Sequence, residues 1–375
     1  MKFVVERDAL IDAVNWVARS LSTRPISTAL LGIMFEVTDV VTLTGSDLET
    51  STKAILHAEI NTPGKVLVPG RLLAEIARSL PLKPITFVLD GTRVFVSAGS
   101  AKFTLPTLSV SEYPTLPELP ETAGSINSEI FATAINQVAT AAGRDESLPK
   151  LTGIHVEIKQ KTILLAATDR YRLAVKEIQW NPENSEMDSK TLIRARTLAD
   201  AAKSLVTNPE VIFAISPDDS KERLIGFVSK EKTMTSRTLD GEFPTFKHLI
   251  PTQFQAEATV DVSMLLDSVR RVALVTDKTV PLRLIFENQT LRLEAGAGEE
   301  AQATEELDIE YSGISINIAF NPTFLTDGLH AINNTFVHIG FTESSKPAVL
   351  SGRKEIDGEI DSSYKYLLMP MKYSS

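Results

Sequence analysis

Apolar residues return along this chain in two alternating rhythms. Three ten-residue stretches align without a gap: Ala9–Ala18 (ALIDAVNWVA), Ile130–Ala139 (IFATAINQVA) and Met264–Ala273 (MLLDSVRRVA). Leu10, Phe131 and Leu265 match, as do Val14, Ile135 and Val269, and Val17, Val138 and Val272. That i, i+4, i+7 spacing is the stripe of an amphipathic helix. A second trio follows in the same order: Arg71–Leu80 (RLLAEIARSL), Arg196–Leu205 (RTLADAAKSL) and Thr323–Ile332 (TFLTDGLHAI). Leu73, Leu198 and Leu325 coincide there, as do Glu75, Asp200 and Asp327, and the basic or part-basic Arg78, Lys203 and His330. Pro69-Gly70 and Asn321-Pro322 stand where helix starts are expected. The pattern predicts helices at 7–20, 71–80, 128–144, 194–206, 262–275 and 322–333.

Elsewhere the rhythm shortens to strands. VTLTGSDLET, ITFVLD, RVFVSAG, GIHVEIK, TILLAAT, RLIGFVS, LRLIFEN, LRLEAGAG and INIAF are rich in Val, Ile, Phe and Thr and end in turn formers. LTGSDLETSTKA around Asp47 and LAATDRYRLAVKE around Asp169 read as equivalent, whereas the third counterpart, LEAGAGEEAQATEE, lacks the aspartate. Each copy therefore runs helix, strands, helix, strands. Pro-rich joins, EYPTLPELPETAG and GEFPTFKHLIPTQ, put boundaries near 120 and 250. The expected fold is α+β, with three tandem copies spanning 1–120, 121–250 and 251–375.

Such a unit predicts an arc, with helices inside and sheets outside, that closes against a second copy. Helices pack about 8–10 Å apart, so two helices from each of six copies trace a circle roughly 35 Å across. Subtracting helix bodies of about 10–12 Å leaves an opening of about 25 Å. Duplex DNA, whose groove depths sum to about 16 Å, passes through it.

Charge sharpens this picture. The chain carries −10 overall, which by itself disfavours phosphate binding. The six predicted helices instead hold ten Lys or Arg against seven acids, a balance of +3 that leaves −13 elsewhere. A basic bore in an acidic shell binds phosphate without reading sequence.

Candidate chemistry is sparse. With no cysteine among the 375 residues, disulfides, thiolate metal sites and cysteine nucleophiles are excluded. The start MKFVVERDAL is too acidic for a signal peptide, and no apolar run is long enough to cross a bilayer. His57, His155, His248, His330 and His338 form no ligand spacing; His155 and Glu157 read as a structural pair on one strand face. Gly296-Ala297-Gly298 lacks the third glycine of a dinucleotide loop and reads as a turn. Asp47 and Asp169 read as turn caps. Leu367, Leu368, Met369, Pro370 and Met371 form an apolar tail, which is either a last core strand or an adaptable binding surface.

In several places the sequence resembles the beta subunit (sliding clamp) family of bacterial DNA polymerase III. The resemblance rests on MKFVVER, Arg24-Pro25, LTGSDLE (Leu43–Glu49), ATDRYRLAV (Ala167–Val175), LDGEFPTF (Leu239–Phe246) and LLMPM (Leu367–Met371), which occur in order from end to end. It implies a closed head-to-tail homodimer of clamp domains, with no catalysis, cofactor, metal or membrane. Its partners are double-stranded DNA, the replicative polymerase, the clamp loader and other proteins with a clamp-binding motif, such as repair polymerases, mismatch repair proteins and ligase. The implied location is the bacterial cytoplasm, at the nucleoid.

The resemblance also implies site residues. For a peptide pocket they are Leu151, Thr168, Arg170, Tyr171, Arg172 and Leu173; Pro244, His248 and Leu249; Ser345 and Pro347; and Leu367 to Met371. Relatives often have a small residue and then His where Arg170 and Tyr171 stand. Relatives often end after Pro-Met-Arg, whereas Lys372 to Ser375 follow here. For DNA the residues are Arg24, Arg78, Arg196 and Lys203, with Arg144 and Lys150 from the RDESLPK loop. For the dimer they are Phe103 and Leu105 on one strand edge, opposite Ala273 and Leu274. Two other readings fit the residues: a protein-only scaffold of this fold, and a repeat-built enzyme acting on small molecules.

Overall fold

A computed structural model describes residues 1–23, 25–206, 208–217, 220, 222–275, 280–296 and 301–372. Among these, six α-helices form: α1 (Arg7–Ala18), α2 (Gly70–Ser79), α3 (Ser128–Ala139), α4 (Ala195–Leu205), α5 (Val262–Val272) and α6 (Pro322–Ala331). Each coincides with a predicted one. Leu10, Val14 and Val17 of α1 are buried, as are Leu265, Val269 and Val272 of α5, so the apolar stripe is the packing face. Side chains satisfy the free N–H groups at helix starts: Asp261 accepts from the Met264 N–H, and Asn321 from those of Thr323 and Phe324. Helix α3 stops five residues short of the expected 144. Ala141 and Ala142 donate to Val138 and Ala139, tightening the last turn before Gly143.

Each of the nine predicted strand segments holds a strand, and Ala297 and Gly298 of the turn expected after Gly296 lie outside the described residues. The chain folds into two compact units, and the middle repeat is divided between them. The first comprises 1–132, 180–186 and 197–238; the second comprises 133–179, 187–196 and 239–375. Each unit holds one nine-stranded antiparallel sheet and one smaller sheet.

In the first unit the large sheet runs Asn181–Pro182, Thr122–Asn127, Glu210–Ile215, Leu224–Ser229, Lys232–Arg237, Thr50–Leu56, Val41–Ser46, Gly32–Val37, Gly64–Pro69. Strand Lys232–Arg237 of the second repeat pairs with Thr50–Leu56 of the first. A ladder of hydrogen bonds thus joins two repeats into one sheet. Phe3, Phe35 and Phe87 stack at 5.0–6.3 Å and fasten the five-stranded sheet to the large one.

The large sheet of the second unit repeats this plan strand for strand. It runs Glu310–Gly313, Ala256–Asp261, Phe336–Phe341, Ala348–Arg353, Tyr364–Leu368, Arg172–Gln179, Thr162–Thr168, Gly153–Lys159, Asp188–Arg194. The joint again pairs two repeats, Tyr364–Leu368 of the third against Arg172–Gln179 of the second. Phe286 and Phe341, 4.8 Å apart, link the four-stranded sheet to it.

Candidate functional site

The chemistry of the second unit concentrates where strand Thr162–Thr168 turns into Arg172–Gln179. One carboxylate oxygen of Asp169 accepts from the N–H groups of Tyr171 and Arg172 at 3.0 and 3.1 Å. The Thr168 hydroxyl donates to the Arg172 carbonyl at 2.6 Å. These bonds hold Arg170 at φ +81°, in the left-handed region. The first unit builds the same turn. Asp47 accepts from Glu49 and Thr50, the Ser46 hydroxyl donates to the Thr50 carbonyl, and Leu48 sits at φ +79°. Asp47 and Asp169 are therefore the turn caps that the sequence predicted.

The two turns share their aspartate and their bend but differ in the side chain that follows the bend. Where the first has Thr50, the second has Arg172, whose side chain is 6% exposed. Its Nε donates to Asp169 at 2.9 Å and one terminal nitrogen to Asp327 of α6 at 2.7 Å. The guanidinium also lies 4.3 Å from the Phe324 ring centre and reaches the Tyr366 hydroxyl at 3.4 Å. Burial opposes the charge, but Tyr366, Asp327 and Asp169 outweigh it and hold Arg172 above arginine's ordinary value. Tyr366 in turn donates to the Phe324 carbonyl at 2.8 Å. Its ring lies flush on α6 at Gly328, where an added Cβ meets ring atoms at 2.4–2.9 Å. One arginine and one tyrosine thus tie the turn, the last strand and α6 together.

Between them opens a cavity of about 320 Å³, lined by apolar Leu148, Leu151, Tyr171 and Phe324 and by Arg144, Arg170, Arg172 and Asp327, among others. Tyr171 stacks on Phe324 at 6.2 Å. Four of the expected pocket residues, Leu151, Arg170, Tyr171 and Arg172, therefore meet here. Thr168 lies beneath them in the turn.

The other expected pocket residues lie around a neighbouring apolar cluster. Leu173 and Leu367 pack there with Phe246 and Val349. Pro244, His248 and Leu249 are exposed on the segment that carries Phe246, and Ser345 and Pro347 lie just ahead of Val349. The tail divides in two. The Met369 N–H donates to the Tyr171 carbonyl and the Met371 N–H to that of Ala319, with Pro370 half-buried between them. Met369 and Met371 are 42% and 36% exposed, whereas Leu367 and Leu368 are 3% and 0%. Leu173, Leu367 and Leu368 are buried, because the strand ladder ends only at Leu368.

The segment with Pro244, His248 and Leu249 is anchored by charge and stacking. Phe243 stacks on His155 at 5.2 Å, and Lys247 bonds Glu157 at 3.0 Å. Glu157 is 6% exposed and also meets Lys159 and Lys190. Burial pushes its pKa up, but Lys247, Lys159 and Lys190 overcome this and hold it at about 2.

The expected DNA residues sit on helix faces. Arg78, Arg196 and Lys203 are exposed. Arg71 and Arg78 on α2, like Arg196 and Lys203 on α4, are spaced i, i+7 and share a face. Arg19, Arg71 and Arg78 also line one open groove between α1 and α2. Lys150 is exposed beside Gly241. Arg144 is exposed and lines the cavity beside α6. Arg24 lies outside the described residues.

Of the expected dimer residues, Leu274 is 84% exposed and Ala273 and Phe103 are half-buried. Leu105 is 0% exposed. Opposite Val94 in the ladder, it turns its side chain into the core, while its strand forms the edge of the sheet. Sequence reasoning missed Phe324 and Asp327 for the pocket and Arg19 and Arg71 for the groove. Asp327 had a signal, since an acid recurs there in all three second helices.

Comparison with known proteins gives the relationship. Models of the N-terminal, central and C-terminal domains of the DNA polymerase III beta subunit match residues 1–117, 125–245 and 247–372. The chain is 47% identical over 375 residues to the beta sliding clamp of Streptomyces coelicolor, with 100% of both covered. It is 41% identical over 374 residues to the beta sliding clamp homolog GriR of Streptomyces muensis, again with 100% of both covered. Its fold matches a solved sliding clamp of Pseudomonas aeruginosa bound to griselimycin, with a TM-score of 0.89, 26% identity and 100% of both chains covered. With three successive domain models accounting for nearly the whole chain, this protein belongs to the DNA polymerase III beta subunit family, the beta sliding clamps.

Proposed function

We propose that this chain forms half of a closed ring that encircles duplex DNA and tethers a DNA polymerase to it, acting as a processivity factor without catalysis. The observation that carries this reading is the unbroken likeness to sliding clamps over the full length. Three clamp domains, 1–120, 121–250 and 251–375, make up each half.

The sheet joints support closure. The joint that twice links repeats within the chain leaves two halves unused. Strand Ala101–Pro106 of the first repeat is the counterpart of Lys232–Arg237, and it is the edge of its sheet. Strand Ala303–Asp308 of the third repeat is the counterpart of Thr50–Leu56, and it too is an edge. Two chains head to tail make the missing joint twice, with Leu274 beside it, and a closed assembly leaves no open edge there. Arg78, Arg196 and Lys203, with Arg19 and Arg71, face phosphate; contacts of this kind carry no sequence information.

The peptide pocket combines the cavity beside α6 with the exposed Pro244, His248, Leu249, Met369 and Met371. It serves as the docking place for linear motifs of the replicative polymerase, the clamp loader and repair proteins. Methionines suit a surface that accepts several sequences.

Topology supplies the test. The expected solution mass is near twice the 41.0 kDa of one chain. Once loaded on nicked circular DNA by a clamp loader, it stays bound at moderate salt and leaves when the circle is cut. A clean monomer at micromolar concentration, or retention on linear DNA with free ends, overturns the ring. Deleting Met369 to Ser375 removes peptide binding and keeps the dimer; loss of both together shows the tail to be core.

A further inference from the structure

The cavity beside α6 has apolar walls and a charged mouth. Leu148, Leu151, Tyr171 and Phe324 supply the walls, while Arg144 and Arg170, both exposed, stand at the edge. The third guanidinium of the cavity, Arg172, is taken up by Asp169 and Asp327. Among the described residues, neither Arg144 nor Arg170 has a carboxylate within ion-pair distance. Asp145, the remaining acid of the lining, is engaged by the Ser147 hydroxyl and N–H at 2.7 and 2.9 Å and feels the charge of Arg170 only from beyond ion-pair distance. Arg170 leans on the Tyr171 ring, 5.9 Å from its centre, which keeps its charge beside the opening. Its counterpart Leu48 shares the backbone angle but carries no charge. The angle therefore belongs to the turn, and the charge belongs to this site.

Two unpaired guanidiniums at the rim of an apolar hole fit a ligand that is apolar in the middle and anionic beside it. We propose that Arg144 and Arg170 select, among linear peptides whose apolar side chains enter this cavity, those with an aspartate or glutamate directly flanking the apolar anchors. This rests on the reading above that the cavity belongs to the peptide site.

The test uses the full-length dimer and two fluorescein-labelled synthetic decapeptides with the same leucine and phenylalanine anchors. One has a flanking Asp-Asp and the other Asn-Asn. Fluorescence anisotropy gives the affinity of each for wild type, Arg170→Gly, Arg144→Gln and the double variant. An exposed guanidinium–carboxylate pair contributes up to about fivefold, so wild type favours the acidic peptide by roughly five- to twentyfold at low salt. Each single variant loses about half of that preference on a logarithmic scale, and the double variant loses nearly all of it. The neutral peptide loses less affinity than the acidic one in every variant, so the ratio of the two affinities is the readout. Arg170→Gly removes a side chain from a left-handed position, so its thermal midpoint does not fall; Arg144→Gln tests the idea without touching the turn.

Equal binding of the two peptides to wild type overturns acid selection and leaves the pocket reading intact. An unchanged ratio in the double variant overturns it as well. If neither peptide binds wild type, the pocket reading fails and this proposal with it. A single-stranded oligodeoxynucleotide provides the other arm. If it binds tighter than the acidic peptide and loses the same affinity in the double variant, the rim serves phosphate, and the proposal falls.

Discussion

Arg172→Met removes the guanidinium that ties the turn, α6 and the last strand. Methionine keeps most of the length and apolar bulk of the stem, so the loss is chiefly electrostatic. Breaking a buried ion pair by deleting one partner costs about 3–5 kcal/mol. Arg172 is 6% exposed, but Asp169 is 15% and Asp327 35%, so both acids recover some water. Asp169 also keeps its two backbone N–H donors. The electrostatic loss is therefore nearer about 2–3 kcal/mol. Removing the charge from the face of Phe324 adds about 0.5–1 kcal/mol. A total of about 3 kcal/mol in a unit of this size lowers its thermal midpoint by roughly 6–10 °C.

The two units need not melt together, so the assay must be local. Amide hydrogen exchange reads it directly: protection falls in residues 168–173 and across α6 and stays unchanged around Asp47. A double-mutant cycle with Asp327→Asn yields a coupling of about 1–3 kcal/mol. Affinity for a pocket peptide falls in parallel, because Phe324 and Tyr171 lose their fixed spacing. An Arg172→Met protein that melts within about 2 °C of wild type, shows the same exchange in α6 and binds peptide unchanged would refute this role for the guanidinium.

Three further outcomes are expected. Glu157 has its pKa lowered from 4.5 to about 2 in the folded state, so it contributes stability above pH 4.5 that is lost as the pH falls towards 2. Glu157→Gln is less stable than wild type at neutral pH and flatter across that window, and parallel acid-unfolding curves for the two proteins would disprove this. Internal correspondence of the strand joints places Phe103 of one chain opposite Ala303 of the other. Because the chain has no cysteine, Phe103→Cys with Ala303→Cys in one chain should give a clean covalent dimer on oxidation; monomer alone on a denaturing gel contradicts the register. Replacing Arg71 and Arg78 by Gln lowers the slope of DNA retention against salt by about 0.9 for each phosphate that is no longer neutralised, with an unchanged slope counting against a phosphate role for the α1–α2 groove.

The helices were legible because their apolar stripes are long and recur three times. Leu10, Val14 and Val17 in α1 have counterparts that reinforce one another, and tertiary packing agrees with them. The Asp47 and Asp169 turns were legible for a related reason: a cap and the backbone it serves lie within four residues. What stayed hidden was non-local. Nothing near Arg172 points to Asp327, 155 residues away. The LLMPM run reads as one apolar patch until the ladder with Arg172–Gln179 buries Leu367 and Leu368 and leaves Met369 and Met371 outside. Leu105 shares an edge strand with Phe103, and only its place opposite Val94 shows that its side chain turns into the core.

The repeated turn also bears on where a binding site arises. In both units the same serine or threonine, the same aspartate and the same left-handed residue hold the same four-residue bend. At the decisive position the first unit has Thr50, whose hydroxyl lies 3.3 Å from that of Ser236 across the joint. That pair closes the sheet with two small neutral groups and asks nothing of a helix. Arg172 cannot be buried so simply, because its charge must be met by acids and its planar head by a flat surface. Asp327 and Phe324 of α6 meet both needs, and with Arg172 they line the cavity beside the turn. The duplicated turn supplies the scaffold, and in the second unit a single buried charge draws a partner from 155 residues away to the wall of a cavity.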